Sequence, residues 1–460
     1  MNVLLIKPGN LSDHIQPSLA LGYLAAQVRK DHRVRIVDLM KEDGSPGGLA
    51  ALLADFHPGL VGIQCYSMDL PRVETLLRVV KAHDPAVWTI IGGAHPTAAP
   101  ARCLEHFGAA LLDFVFSGEA ERGFPMLLAA LEEGQGRFDD IPGLGWRDNG
   151  AIRLNQPEYI EDLDALGMPA WDLIAPERYP FSPHGVVCMN QPVAPVMATR
   201  GCPYRCTFCS TAGQPFRKRS AELFLAEVQL LREKHGIREF HMVDDNFTMD
   251  MDFARELLEG LIRLDFKASW STPNGVRLER LDREIIELMK RAGFYSIAVG
   301  IESGSDRVRK LIRKGSTTDE VRRKINMVRE AGGIEITGFF MLGIPGETRE
   351  DIEATLRFSR ELPLHRAAFH SFLPLPGTTI WQEMEESGEI DKADLADRCF
   401  FWAGAYVPRG MTRGELRRLH RKAFLRFYLR PRILLANGKY LLKPRVMKHA
   451  LKYLLRRFGN

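Results

Sequence analysis

The chain has 460 residues, 45% of them hydrophobic and 26% charged, with a formal net charge of +4. That length carries two or three domains with ample core, and the composition is that of a globular protein, neither fibrous nor disordered. No apolar run reaches the roughly eighteen residues of a membrane-spanning helix, and the start, MNVLLIKPGN, lacks the basic stretch and cleavage site of a secretory signal.

Residues 1–135 read as one domain. Strand signals fall at Asn2–Lys7, Arg33–Leu39, Leu60–Ser67, Trp88–Gly92 and Phe114–Ser117, with helical periodicity at Leu19–Arg29, Val73–His83 and Arg122–Glu133. Strands alternating with helices predict a parallel, doubly wound, Rossmann-like α/β sheet. Ligands of such sheets bind at the strands' carboxyl ends. Those ends carry Tyr66 and Ser67, then Gly92, Gly93 and His95, then Ser117, Gly118 and Glu119. No G-x-G-x-x-G follows the first strand, which disfavours a dinucleotide. The paired glycine lets backbone approach a large flat ligand closely. His95 could touch such a ligand or simply cap its turn, and both readings stay open.

Residues 136–191 are rich in glycine and proline and read as a linker. One hairpin is expected within it, running from Gly145 to Leu154 through the Asn149-Gly150 turn. The segment Leu163–Trp171 is expected to dock between domains. From residue 192 to 390 the βα rhythm returns six times. Strands are predicted at Val193–Thr199, Glu239–Val243, Ala268–Thr272, Ser296–Ile301, Glu335–Leu342 and Arg366–Leu373. Helices are predicted near Ser220–Lys234, Asp252–Leu264, Asp282–Arg291, Thr318–Ala331, Arg349–Leu362 and Thr379–Ser387. Six units make a partial (β/α)6 version of the TIM-type barrel, with functional loops gathered at the strands' carboxyl ends.

The first of those loops holds the most informative run, ATRGCPYRCTFCS, with Cys202, Cys206 and Cys209 spaced C-x3-C-x2-C. Three thiolates on one loop can hold three irons of a 4Fe–4S cluster, which normally takes four protein ligands. No further cysteine or histidine lies between Met189 and Lys234. One iron would stay open, and an open metal position usually marks chemistry at the metal. The rivals are a closed tetrahedral zinc site and plain buried cysteine. Cys65, Cys103, Cys188 and Cys399 read as small core residues. Seven cysteines, an odd number with three clustered, suit a reducing compartment, so a cytoplasmic setting is expected.

This spacing, with Gly201 before it and Phe208 ahead of the third cysteine, resembles the radical S-adenosylmethionine superfamily. The runs GGAHPT and SGEAE are similar to the cobalamin-binding domain attached to many of its members. The resemblance implies three cofactors: a 4Fe–4S cluster, S-adenosylmethionine and cobalamin. The D-x-H-x-x-G motif that supplies a cobalt-ligating histidine elsewhere is absent, which leaves the lower face of cobalt unassigned. Position by position, the resemblance assigns S-adenosylmethionine contacts to Phe208, Asp244, Asp245, Arg277, Glu302, Ser303, Gly343 and Leu373. Asp244 and Asp245 would meet the methionyl ammonium, Arg277 a carboxylate, Glu302 and Ser303 the ribose, and Gly343 and Leu373 the adenine. The eight N-terminal strand-end residues named above would meet cobalamin.

The activity so implied is reductive cleavage of S-adenosylmethionine to a 5′-deoxyadenosyl radical and hydrogen abstraction from an unactivated carbon. Methyl transfer from methylcobalamin, of the class B type, would follow. A flavodoxin or ferredoxin would serve as reductant, and a small or lipid-like molecule as substrate. Ring formation, rearrangement or lipid modification with cobalamin in a non-methylating role is the alternative within enzymes. A cofactor-based sensor without turnover is the alternative outside them. Methylthiolation is disfavoured, since that family carries further N-terminal cysteines and a C-terminal β-barrel.

Residues 391–460 form a basic tail. From Arg409 onward sixteen lysines and arginines face one acid, Glu415, so the preceding residues are net acidic. Glu415–Leu429 and Lys439–Phe458 look like amphipathic helices. Such helices can touch an anionic membrane surface peripherally or grip an acidic partner, but the favoured reading is a helical lid on the barrel, and nucleic acid is not expected. Leu429-Arg430-Pro431-Arg432 also resembles the C-terminal region of Fe–S cyclase and hopanoid-type members, which keeps a lipid-like substrate in view.

Overall fold

Asn2–Lys7 (β1) reads NVLLIK, and its four central apolar residues are all buried, as a strand covered on both faces requires. It pairs in parallel with Arg33–Asp38 (β2) on one side and Leu60–Gln64 (β3) on the other. Trp88–Gly92 (β4) and Phe114–Phe116 (β5) continue the parallel sheet. The expected hairpin forms as Leu144–Asp148 (β6) and Ala151–Leu154 (β7), and it joins this same sheet antiparallel to β5. Asn149 and Gly150 both take positive φ, 48° and 86°, as a tight hairpin turn demands. Strand order is β2-β1-β3-β4-β5-β6-β7. The order reverses at β1, which makes the crevice between β1 and β3 the topological switch point. The structure is a computed structural model and describes residues 1–9, 16–134, 137–179, 188–265, 267–390 and 406–441.

Both faces of the sheet are covered. Leu19–Val28 (α1) and Gly123–Glu133 (α6) bring Leu21 and Leu127 onto the face of Val3, Leu5 and Ile90. Pro46–Phe56 (α2), Leu70–His83 (α3) and Pro100–Phe107 (α5) bring Leu53, Leu77 and Leu104 onto the face of Leu4, Ile6 and Ile63. The short Ala94–Ala98 (α4) follows β4 directly. The third strand is shorter than the expected Leu60–Ser67. Asp69 accepts a hydrogen bond from the Tyr66 backbone N–H and pulls Ser67–Asp69 into a 3₁₀ turn. Trp171–Ile174 (α7) lies in the expected linker, with Trp171 buried.

Six further strands are all parallel, in the order β15-β14-β13-β12-β11-β8. They are Val193–Val196 (β8), Glu239–Met242 (β11), Ser269–Val276 (β12), Phe294–Glu302 (β13), Glu335–Leu342 (β14) and Arg366–Ser371 (β15). Two two-residue strands, Thr199–Arg200 (β9) and Arg217–Lys218 (β10), flank the cysteine loop in sequence. The helices are Ala221–His235 (α8), Met251–Arg263 (α9), Arg283–Ala292 (α10), Asp306–Leu311 (α11), Thr318–Ala331 (α12), Arg349–Glu361 (α13) and Thr379–Glu386 (α14). All but one match an expected helix. The exception, α11, has six residues, too few to show a period. On β14 the residues alternate strictly between buried and half-buried, with Ile336, Gly338, Phe340 and Leu342 on the buried side. A stack of Phe240, Trp270 and Phe294 runs across β11, β12 and β13.

In the tail, Arg413–Tyr428 (α15) forms as expected. The next helix, Pro431–Leu441 (α16), begins earlier than the expected Lys439, because proline is pre-set for the first helical turn. Residues 442–458 of that expectation, like Cys399, lie outside the described residues. Among the described residues no helix is long and apolar enough to cross a membrane. The chain divides into two compact units. One comprises Met1–His184, Arg217–Ile237 and Leu375–Asp397, and the other Gly185–Phe216, Arg238–Pro374 and Arg398–Asn460.

Candidate functional site

The cysteine loop leaves the carboxyl end of β8 and is pinned there by two aspartates. Gly201 sits at φ 82°, where an added Cβ would come within 2.1 Å of the Pro215 carbonyl oxygen, so only glycine turns the chain here. Its N–H donates to Asp245 Oδ2 at 3.1 Å. Asp244 accepts from the N–H of Ala198 at 3.1 Å, and from the N–H and hydroxyl of Thr199, both at 2.6 Å. Burial pushes the Asp244 carboxyl up to about 7, against the pull of these hydrogen bonds. The resemblance gave both aspartates to S-adenosylmethionine. In the structure Asp244 is wholly buried and occupied with the loop's backbone, so its work here is positional.

Within the loop, Cys209 N–H donates to the Cys206 carbonyl at 3.1 Å, and Thr207 N–H to the Ile312 carbonyl at 3.1 Å. Cys202 and Cys209 are half-buried, Cys206 is buried and Phe208 is half-buried. A four-iron cluster takes thiolate ligands and carries its own sulfides between them, and three thiols on one loop, two of them half-buried, fit it. Among the described residues, Cys188, Glu239 and His241, all buried, bring three possible ligand atoms within 4.8 Å of one another. They belong to the opposite, N-terminal end of the strands. There Glu239 accepts from Tyr295 Oη at 2.7 Å and Asn190 N–H at 2.7 Å, with His241 Nε2 at 3.1 Å, in a buried polar network.

Arg277, assigned by resemblance to a carboxylate, lies against the cysteine loop. Its Nη1 is 3.7 Å from Cys206 Sγ, its Nη2 donates to the Lys314 carbonyl at 2.7 Å, and its guanidinium stacks over Tyr204. Glu302 ends β13 with φ 64°, a strained backbone for a side chain of its kind, at a register shift against β14. Its carboxylate meets Lys314 Nζ at 2.9 Å, and both side chains are largely buried. Ser303 is fully buried with its hydroxyl on Thr355 Oγ1 at 3.1 Å, turned toward α13. Gly343, at φ 86°, donates its N–H to Glu347 Oε2 at 2.6 Å. Leu373 follows β15 and is buried.

Sequence reasoning missed Lys314, Tyr204, Glu347 and Arg309. Arg309 is 1% exposed and donates to the carbonyls of Ile301 and Ser316, fixing the end of β13. Nothing in the run RVRKLIRK distinguishes it from its surface neighbours.

In the other unit, the strand-end residues form two joined groups. Ser67 Oγ and His95 Nδ1 are 2.9 Å apart, and burial lowers the His95 pKa to about 4, so its ring is neutral. Ser117 Oγ donates to the Thr97 carbonyl at 3.2 Å, and Gly118 N–H to Thr97 Oγ1 at 3.0 Å. Between these groups Gly93 and Ala94 are exposed and Gly92 half-buried, a bare backbone platform beside Tyr66, itself 47% exposed. Gly93 at φ 110° packs on the Cys65 carbonyl, where an added Cβ would come within 3.1 Å. Such a platform fits a broad, flat ligand. Glu119 is turned away, accepting from Arg217 Nη1 at 2.7 Å and Ile160 N–H at 2.8 Å.

Two family models match the chain, the radical SAM superfamily over residues 196–359 and the B12 binding domain over residues 11–128. An uncharacterised methyltransferase of Pyrococcus horikoshii is 30% identical over 426 residues, covering 91% of this chain and 89% of that protein. Cytidylyl-2-hydroxyethylphosphonate methyltransferase of Streptomyces wedmorensis is 32% identical over 475 residues, covering 90% and 87%. The chain belongs to the cobalamin-binding radical S-adenosylmethionine family. It is an enzyme of that family, and its cofactors are a 4Fe–4S cluster, S-adenosylmethionine and cobalamin. The zinc and sensor readings fall with this. The fold is similar to that of the radical S-adenosylmethionine methyltransferase TsrM from Kitasatospora setae, solved with cobalamin and a [4Fe–4S] cluster. There the TM-score is 0.68 at 20% identity, covering 84% of this chain and 75% of that one.

Proposed function

We propose that the chain is a C-methyltransferase acting on an unactivated carbon of a small-molecule substrate, with flavodoxin or ferredoxin as electron donor. One observation carries the reading: three thiols on a single loop at the strands' carboxyl ends, in a chain that also holds a B12-binding domain. When bound, the cluster supplies an electron for cleaving S-adenosylmethionine, and cobalamin supplies a transferable methyl group. The chain's own contribution is placement. Cys202, Cys206 and Cys209 would hold three irons, while Gly201, Asp244 and Asp245 fix the loop that carries them. Glu302, held by Lys314, would accept from ribose hydroxyls, and Gly343, Leu373 and Phe208 would border the adenine. Tyr66, Ser67, His95, Ser117 and Gly118 would line the cobalamin crevice around the Gly92-Gly93 platform.

The test is anaerobic incubation of cluster-loaded, cobalamin-loaded enzyme with methyl-labelled S-adenosylmethionine and a low-potential reductant. We expect label on the protein-bound corrinoid together with 5′-deoxyadenosine, and loss of the latter in Cys206→Ala. Formation of 5′-deoxyadenosine while the corrinoid stays unlabelled would overturn methyl transfer and favour a ring-forming or rearranging activity.

A further inference from the structure

Helix α15 buries one face and exposes leucines on another. Leu416, Leu419, Ala423 and Phe427 are buried, and Tyr428 Oη donates to the Ala367 carbonyl of β15 at 2.8 Å. That face is the expected lid on the barrel. Leu425 and Leu429 lie off it, 36% and 63% exposed, and α16 adds Leu434 and Leu435 at 50% and 80%. Isolated exposed leucines need no explanation, but four within eleven residues of two consecutive helices mark an interaction surface. Two of them, Leu425 and Leu429, share a groove of about 600 Å³ with Arg360, Arg426, Arg430 and Pro431.

The charge around these leucines is predominantly positive. Arg360, Arg430 and Arg432 stand close enough that burial and mutual repulsion lower the pKa of Arg430. Arg421, Arg426 and Arg432 are exposed, and Glu353 is already engaged by Lys422 and lies 4.0 Å from Arg426. Leucines set among arginines on consecutive helices are what an interfacial helix presents to a charged bilayer, with side chains at the acyl boundary and guanidiniums at the phosphates.

We propose that the α15–α16 face docks on an anionic phospholipid surface. A second copy of the chain would set arginine against arginine across a two-fold axis. Nucleic acid would use the arginines but leave the leucines in water. The proposal is independent of the methyl-transfer reading, because binding to lipid needs no turnover.

The test is co-sedimentation of the full-length protein with vesicles of phosphatidylcholine alone and of phosphatidylcholine with phosphatidylglycerol. We expect at least tenfold tighter binding to the anionic vesicles, weakened by salt. Leu429→Ser with Leu435→Ser should lose about tenfold in affinity, and Arg432→Glu should lose a comparable factor, both with unchanged circular dichroism. Equal binding to both vesicle types, or no effect of the leucine pair, would overturn the proposal. So would a self-association that the leucine pair abolishes, seen by light scattering without lipid.

Discussion

Arg277 brings a fixed positive charge to within 3.7 Å of Cys206 Sγ, and three contacts hold it there: the Lys314 carbonyl, the Glu279 carboxylate and the face of Tyr204. A cation and hydrogen-bond donor beside a cluster thiolate favours the more negative, reduced state of the cluster. Replacing it with glutamine keeps a donor but removes the charge. Arg277→Gln should therefore shift the cluster's midpoint to more negative potential, and Arg277→Lys less so, in a potentiometric titration followed by electron paramagnetic resonance. A tenfold change in the reduced-to-oxidised ratio at fixed potential corresponds to about 59 mV for one electron. An unmoved midpoint in both variants would reduce Arg277 to a structural brace. The three cysteines were legible because their spacing is local. Arg277's contact was not, because 71 residues separate it from Cys206 and only the fold brings them together.

At the scale of elements, the turn after β14 is built around one buried carboxyl. Glu347 Oε2 accepts from the N–H groups of Gly343 and Ile344 at 2.6 and 3.1 Å, while Oε1 is buried with no hydrogen-bond partner. Burial raises its pKa from 4.5 to about 8, against those two donors. Between those values the folded state keeps a proton that the unfolded chain has released. The stabilisation is thus complete below the unfolded value and is lost as pH rises through the folded one. A neutral amide can accept the same two hydrogen bonds without that penalty. Glu347→Gln should match the wild type at low pH and exceed it by a few kcal/mol near pH 9, measured by urea unfolding. Parallel pH profiles for the two proteins would show that the group does not titrate as described. The resemblance assigns Gly343 to the adenine, and in the structure Gly343 turns the chain at φ 86°. What the sequence conceals is the side chain that closes the turn, because a glutamate in a loop ordinarily reads as solvated.

Over the whole molecule, both βα rhythms and most element boundaries could be read from hydrophobic period and turn residues. The allocation of elements to units could not. By sequence, α8 and α14 belong to the barrel's repeat, yet both group with the first compact unit. The reason is visible in α8, where Glu227 is 1% exposed and pairs with Arg219 at 2.6 Å, itself 2% exposed. Trp171 Nε1, from the segment expected to be a linker, donates to the same carboxylate at 3.2 Å. A buried pair of this kind contributes little over an apolar pair of equal volume, but breaking it strands a charge. Glu227→Ala should therefore cost about 3–5 kcal/mol, read as a lowered calorimetric transition of the first unit. Arg219→Met combined with Glu227→Leu should recover most of that loss, leaving the indole N–H without its acceptor at a cost of about 1 kcal/mol. If the single and double variants melt alike, the pair is not what ties α8 to the first unit, and apolar packing by residues such as Phe224 and Leu231 must hold it instead.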